Sequence, residues 1–364
     1  MLQLFGRLCG AWKVSWDGME FLPKALGTRP RLAVEVRTES VIAARAEDAA
    51  GLLIAIARTN LETEAVVPGL KAGNIADRAK VAAAVRIALD AVAGKGSERT
   101  RHATLIVPDA AVRVLLLDFD SLPTKIVEAL PVVRFRLKKL LPFEVEDAVV
   151  SYQIMSSSKG SVTVLAVAIP RDVLAEYEGV VTAAGYLPGA VLPSTLAALA
   201  ALRGTDTGAP ASALVVNTEA QQVTTAIVRD GILLLHRTLE MGGGPVPARI
   251  TTDAYDRVDA QAEIDTGVLG GVATEALVDD GAGEVAQAVS VAAAYFEDTL
   301  GVAPELVLAS GTTSAETLER ILQTSGLEGL RVRELMEPAM IAAGAATAGV
   351  SRGWLAGVKG ALTS

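Results

Sequence analysis

Short apolar runs separated by polar turns occur in two similar groups along this chain. In the first group Leu32-Ala-Val-Glu-Val36 is followed by Val41-Ile-Ala-Ala44 and Leu52-Leu-Ile-Ala-Ile56. In the second, Ala213-Leu-Val-Val216 is followed by Val223-Thr-Thr-Ala-Ile-Val228 and Ile232-Leu-Leu-Leu-His236. Runs of this length bounded by turn residues predict strands. Asp230-Gly231 joins the last two strands of the second group, a strong two-residue hairpin signal. Helical periodicity follows each group. Over residues 75–92, Val81, Val85, Ala88 and Val92 fall on one face with Ala82 and Leu89 beside them, and residues 284–300 form a second long amphipathic stretch. The repetition predicts a duplicated α/β chain with a cleft between its halves, the place where ligands usually sit.

The intervening segments complete the expected organisation. Residues 103–170 read as a separate small unit: strands at 104–107 and 112–117, a helix from Pro123 to about residue 140, and strands at 148–154 and 162–169 joined by a Lys159-Gly160 turn. Leu130, Val133, Leu137, Leu140 and Leu141 form the apolar stripe of that helix. Pro131 is expected to kink it or to mark its start. Helices are expected at 172–184, stopped by Gly185, and at 194–202, capped by Ser194. Residues 204–211 read as a linker, and residues 242–283, rich in Gly and Asp, as short helices with mobile connections. A strand at 305–309, a helix at 314–324, a short strand at 331–332 and a small-residue helix at 338–348 follow. The domain reading is a lead-in at 1–30, a first half at 31–203 with an insert at about 103–170, a second half at 212–348, and a C-terminal tail at 349–364.

Hydrophobic residues make up 51% of the 364 positions but aromatics only 4%, so the core is expected to consist of Ala, Val, Leu and Ile. The single cysteine, Cys9, excludes an internal disulfide and a multi-cysteine metal site. With only His102 and His236, a histidine-rich metal site is not expected. A formal charge of −9 argues against a general nucleic-acid binder, which needs clustered Lys and Arg to neutralise phosphates. No uncharged apolar stretch reaches the roughly 18 residues of a membrane span. The apolar N-terminal residues 1–13 do not read as a signal peptide. They read as a packed or frayed terminus, with a place on a membrane surface through Trp12 and Trp16 as the alternative. Residues 351–359 read in the same way.

Further motifs add a resemblance. Ala103-Thr-Leu-Ile-Val-Pro-Asp109, Val112-Arg-Val-Leu-Leu-Leu-Asp118, Ser121-Leu-Pro123, Arg136-Leu-Lys-Lys-Leu-Leu-Pro-Phe-Glu-Val-Glu146 and Val149-Val-Ser-Tyr-Gln153 resemble the PilM family of type IV pilus assembly proteins. Val228-Arg-Asp-Gly-Ile-Leu-Leu-Leu-His-Arg-Thr238, Met241-Gly-Gly243 and Leu306-Val-Leu-Ala-Ser-Gly311 look like that family's second hairpin, its glycine turn and its base-side strand and turn. The resemblance covers most of residues 30–348. It implies an actin-like α/β fold, with duplicated ribonuclease-H-like halves and an inserted small α/β subdomain as in FtsA and PilM. It also implies a cytoplasmic protein peripheral to the inner membrane, docking the tail peptide of a PilN-like membrane partner in a groove between the first half and the insert. A GspL-like type II secretion cytoplasmic module shares many of these features. Peripheral membrane association and a homo-oligomer both stay open.

Actin-like proteins hold nucleotide phosphates on two Asp-x-Gly hairpins, where glycine lets backbone N–H groups approach and aspartate acts through magnesium or water. Here Glu35 stands for the first aspartate and Arg37 for the glycine, while Asn217 replaces the second aspartate and Glu219 places a negative charge where phosphate would sit. The candidate cofactor-binding residues that the resemblance implies are Glu35, Arg37, Thr38, Asn217, Thr218, Gly242, Gly243, Ser310 and Gly311. Because both hairpins depart from the pattern, no cofactor is expected, although the family resemblance itself points to ATP and magnesium. The expected function is a non-catalytic scaffold, with an ATPase or kinase of the same fold as the alternative. Arg134, Arg136, Lys138 and Lys139 read as a solvated helix face, and His236 as a half-buried strand residue.

Overall fold

The computed structural model describes residues 30–48, 50–94, 101–204, 212–242, 280–327, 329–345 and 350–363. The lead-in expected at 1–30, the linker at 204–211 and the segment at 242–283 lie almost wholly outside the described residues.

Two five-stranded sheets carry the duplication. The first contains β1 (Leu32–Val36), β2 (Ser40–Ala46), β3 (Leu53–Asn60), β4 (His102–Val107) and β8 (Leu187–Pro193), in the order β3-β2-β1-β4-β8. The second contains β9 (Ser212–Glu219), β10 (Gln222–Arg229), β11 (Ile232–Glu240), β12 (Leu306–Gly311) and β13 (Arg331–Glu334), in the equivalent order β11-β10-β9-β12-β13. In each, the first three strands form an antiparallel meander and the last two add in parallel. The Asp230-Gly231 turn has positive φ at both residues, 48° and 80°, as a tight hairpin turn requires.

Helices fill three layers. On the outer face of the first sheet pack α1 (Arg78–Val92) and α3 (Arg171–Ala183), through Val81, Val85, Leu89, Val173, Tyr177 and Val180. On the outer face of the second pack α5 (Asp280–Leu300) and α6 (Ala315–Thr324), through Val289, Phe296, Leu318 and Leu322. Between the sheets lie α4 (Ser194–Ala200) and α7 (Ala356–Leu362). Their Leu196, Leu199, Val358 and Leu362 join Ile42 of the first half and Val215, Ala226 and Leu308 of the second in one buried cluster. This shared layer joins the halves.

The insert is a three-stranded antiparallel sheet, in the order β5-β7-β6, formed by β5 (Arg113–Phe119), β6 (Ala148–Ser158) and β7 (Ser161–Pro170). It is covered by α2 (Ile126–Leu137) through Val133 and Leu137. Three boundaries differ from the sequence reading. Strand β4, assigned there to the insert, pairs in parallel with β1 and belongs to the first sheet. Strand β8 was not anticipated; it carries Pro188, Gly189 and Pro193, and an edge strand tolerates proline. The helix expected at 338–348 is a single 3₁₀ turn, Pro338–Met340, followed by a bridge from Ile341 to Leu53.

The C-terminal tail is packed, one of the two outcomes expected for it, and forms the helix α7 in the shared layer. Residues 355–362 are buried, including Lys359, which is 1% exposed and donates from Nζ to the Ala50 carbonyl at 2.6 Å and to Thr363 Oγ1 at 3.0 Å. Gly360 meets α4 so closely that a β-carbon there would lie 1.8 Å from the Ala197 carbonyl oxygen. Backbone atoms on both sides leave no side chain to yield. Gly360→Leu should therefore destabilise the protein by about 1–3 kcal/mol or more, as overpacking does, read as a lower denaturation midpoint at unchanged slope.

Candidate functional site

The ends of β1, β4, β8 and β9 meet at one edge of the shared helical layer and bring together a buried polar seam. Glu35, on β1, is 1% exposed. Its Oε1 accepts from Ser194 Oγ at 3.2 Å and Arg37 Nη1 at 3.3 Å. Asn217, on β9, donates from Nδ2 to Thr195 Oγ1 at 2.9 Å and to Ser194 Oγ at 3.3 Å. Asp109, just past β4, accepts from the Thr195 backbone N–H at 3.1 Å, from the Thr195 hydroxyl, and from Thr224 Oγ1 at 3.1 Å. The seam therefore crosses from one half to the other through hydrogen bonds.

Local sequence explains the arrangement. Pro193 has an extended backbone and α4 begins at Ser194. Ser194 does not cap its own helix as expected from sequence; its hydroxyl serves Glu35, and Asp109 supplies the acceptor for the buried Thr195 N–H at the helix start. Burial raises the pKa of Glu35 above the ordinary carboxylate value, with the Arg37 charge opposing the rise. Glu219, partly buried beside Gln222, is pushed up to about 8 by burial and by the charge of Asp109.

The other residues singled out from sequence divide in their placement. Arg37, 5% exposed, pairs with Glu35 and through Nε with Glu39 at 3.4 Å. Its guanidinium stacks on Trp354, 4.9 Å from the ring centre, and Arg58 stacks on the same ring at 4.1 Å. Thr38 sits partly buried in the turn between β1 and β2. Thr218 Oγ1 accepts from the Thr313 N–H at 2.8 Å. Gly311 ends β12 with φ +90° and is packed so that a β-carbon would lie 1.9 Å from the Thr218 carbonyl oxygen; Ser310 beside it is buried. Gly242 has φ +77° and donates its N–H to Glu284 Oε2 at 2.8 Å, away from the seam. Gly243 lies outside the described residues.

A magnesium nucleotide does not fit these residues. Glu35 is enclosed beneath the start of α7, where a β-carbon on Gly357 would lie 2.6 Å from Glu35 Oε2. Arg37 is held by two carboxylates and covered by Trp354. Asn217 spends its donors on α4. No group of three acidic, His or Cys side chains suited to a metal occurs among the described residues. Sequence reasoning found Glu35, Arg37, Asn217 and Glu219, and missed Asp109, Thr195 and Trp354 as members. An acidic residue directly after a buried strand, as in Pro108-Asp109, is the one local signal that marks any of these three.

A second feature is an apolar groove between the first half and the insert, enclosing about 80 Å³. Val107, Val191 and Pro193 form one wall, and Ile126, Leu130 and Val149 the other. Strands β8 and β6 both contribute to it, and each is the terminal strand of its sheet.

No protein-family model and no curated protein matches this sequence. Solved structures do match. The PilM-PilN type IV pilus biogenesis complex superposes with a TM-score of 0.62 at 16% identity, covering 92% of this chain and 98% of that one. A Bacteroides thetaiotaomicron protein with an actin-like ATPase fold gives 0.45 at 9% identity, covering 83% and 88%. The cytoplasmic domain of EpsL, an inner-membrane component of the Vibrio cholerae type II secretion system, gives 0.41 at 12%, covering 85% and 98%. The fold is actin-like. Within that class it is PilM-like, with its insert placed between β4 and α3. Among the described residues no helix is long and apolar enough to cross a membrane.

The raised pKa of Glu219 gives the seam a pH signature. The folded protein holds a proton on Glu219 from the ordinary carboxylate range up to about 8, whereas the unfolded chain releases it near the lower value. This contribution to stability is complete below the unfolded pKa and is lost as pH rises through the folded one. Glu219→Gln removes the titration. Its melting temperature should fall less than that of the parent between about pH 5 and 8, and parallel melting curves across that window would contradict the assignment.

Proposed function

We propose that this chain is a non-catalytic scaffold of a type IV pilus or related secretion assembly machine, docking the cytoplasmic tail of a PilN-like inner-membrane protein. The observation that carries this reading is the apolar groove between two terminal strands, β8 and β6. A terminal strand offers unpaired backbone N–H and C=O groups to an extended peptide, and apolar wall positions select its alternate side chains. The PilM-PilN complex has this fold over nearly its whole length. A protein in this role is cytoplasmic and peripheral to the inner membrane through its partner.

The reading excludes ATP turnover. Phosphate binding needs free backbone donors and a cation to meet the charge, and here Arg37 is committed to Glu35 and Glu39. Docking is then independent of nucleotide.

The test is titration of a synthetic PilN-type tail peptide into the full chain by calorimetry, with and without millimolar Mg-ATP. Binding should be equal in both. Ile126→Asp, at the partly exposed start of α2 in the groove wall, should weaken it by about tenfold or more, equivalent to about 1.4 kcal/mol, with little loss of melting temperature. Absence of binding to the parent, or equal affinity in Ile126→Asp, would sink the docking assignment. An upward shift in melting temperature with Mg-ATP would sink the nucleotide-independent part.

A further inference from the structure

A second cavity, of about 210 Å³, lies where the insert meets the second half. Its polar wall comes from the β10–β11 hairpin. Gln222 lies opposite Glu240, Thr224 opposite Thr238 and Ala226 opposite His236, so alternate positions of both strands present one face. Asp109 closes the end of this wall through its hydrogen bond from Thr224. Arg113 of β5 lies across from it, donating one N–H to the Val112 carbonyl at 3.1 Å. Val112 and Val114 supply an apolar flank.

Two groups here have unmet hydrogen bonds. Gln222 is 4% exposed; its Nε2 donates to Glu219, and its Oε1 is buried without a partner. His236 Nε2 is likewise buried without a partner. A buried polar atom left unpaired is costly, so two in the wall of one cavity point to a ligand for it.

The lining defines the chemistry of that ligand. Gln222 Oε1 and the Glu240 carboxylate accept, the Arg113 guanidinium donates, and His236 does either. Asp109 and Glu240 disfavour an anion. Asp109 already accepts three hydrogen bonds, which leaves little for a cation. A hydroxyl both donates and accepts, and several on a compact frame satisfy such a mixed wall while one ring face rests on Val112 and Val114. A cavity of about 150 Å³ accommodates a benzene ring, so this one has room for a molecule of six-carbon size.

We infer that this cavity is a binding site for a small neutral polyhydroxylated molecule, seated between Gln222 and His236 on one side and Arg113 on the other. It is separate from the peptide groove, although Val112 borders both.

Saturation-transfer NMR on the full chain tests this, with myo-inositol, D-glucose and D-mannitol as separate millimolar probes and glucose 6-phosphate as the anionic control. At least one neutral polyol should receive saturation and bind more tightly than the phosphate ester. Gln222→Leu and Glu240→Ala should each weaken it about fivefold or more, the expected loss for one hydrogen bond. Glu240 is exposed at the rim, so Glu240→Ala decides the matter alone if Gln222→Leu does not fold. Transfer to none of the three polyols, equal affinity in Glu240→Ala, or tighter binding of glucose 6-phosphate would overturn the assignment.

Discussion

The close packing of α7 against α4 is the constraint on which the rest of the molecule depends. The chain leaves the second half after β13 and returns to the first as α7, whose neighbours include β1, β2 and β4. The return is possible because Gly360 brings no side chain to the Ala197 carbonyl. Small residues dominate both helices, Ser-Thr-Leu-Ala-Ala-Leu-Ala in one and Ala-Gly-Val-Lys-Gly-Ala-Leu in the other. They have little side-chain bulk to hold the backbones apart. The apolar side chains that remain reach both sheets, so one buried cluster holds residues of both halves.

That packing sets the chemistry of the seam. Because α7 begins at Ala356 above Glu35, the carboxylate lies under a helix and not at an open cleft. Because Trp354 precedes the helix, Arg37 and Arg58 have an aromatic face to stack on, worth about 0.5–1 kcal/mol at exposed sites and more when desolvated. Asn217 and Asp109 then find their partners on α4. A buried network of this kind specifies a single arrangement of the two halves when its members are satisfied. Its orphan atoms, Glu35 Oε2 and Arg37 Nη2, are the places where it is not.

Much of the fold was legible because its signals are local. The two three-stranded meanders, the Asp230-Gly231 turn and the face of α1 follow from periodicity and turn chemistry alone. The misreadings share a cause. Strand β4 looks like part of the insert until its parallel pairing with β1 is seen, and that pairing joins segments about 70 residues apart. Strand β8 carries two prolines that only an edge position permits. The C-terminal helix is so rich in Gly and Ala that it has no periodic signature, and its burial depends on α4. The candidate site divides in the same way. Glu35, Arg37 and Asn217 were visible as departures from a hairpin pattern, because a pattern fixes which position should bear which group. Asp109, Thr195 and Trp354 come from distant segments and are joined to the site only by the fold.

The seam also bears on how the two halves are held relative to each other. A ligand shifts a conformational equilibrium only by its difference in affinity for the two states. In a cleft lined with free donors, phosphate supplies that difference. Here the cross-cleft contacts come from the chain itself: Asn217 bonds to Ser194 and Thr195, and Thr224 bonds to Asp109. The grooves on either side of the insert are less constrained. The insert's β5 and β6 touch β11 of the second half, and α3 packs on β4 and β8 after leaving β7. On the proposed reading, a polyol in the polar cavity bears on the contact of β5 with β11, and a peptide in the apolar groove bears on the side of α3, β4 and β8. Val112 is buried and borders both.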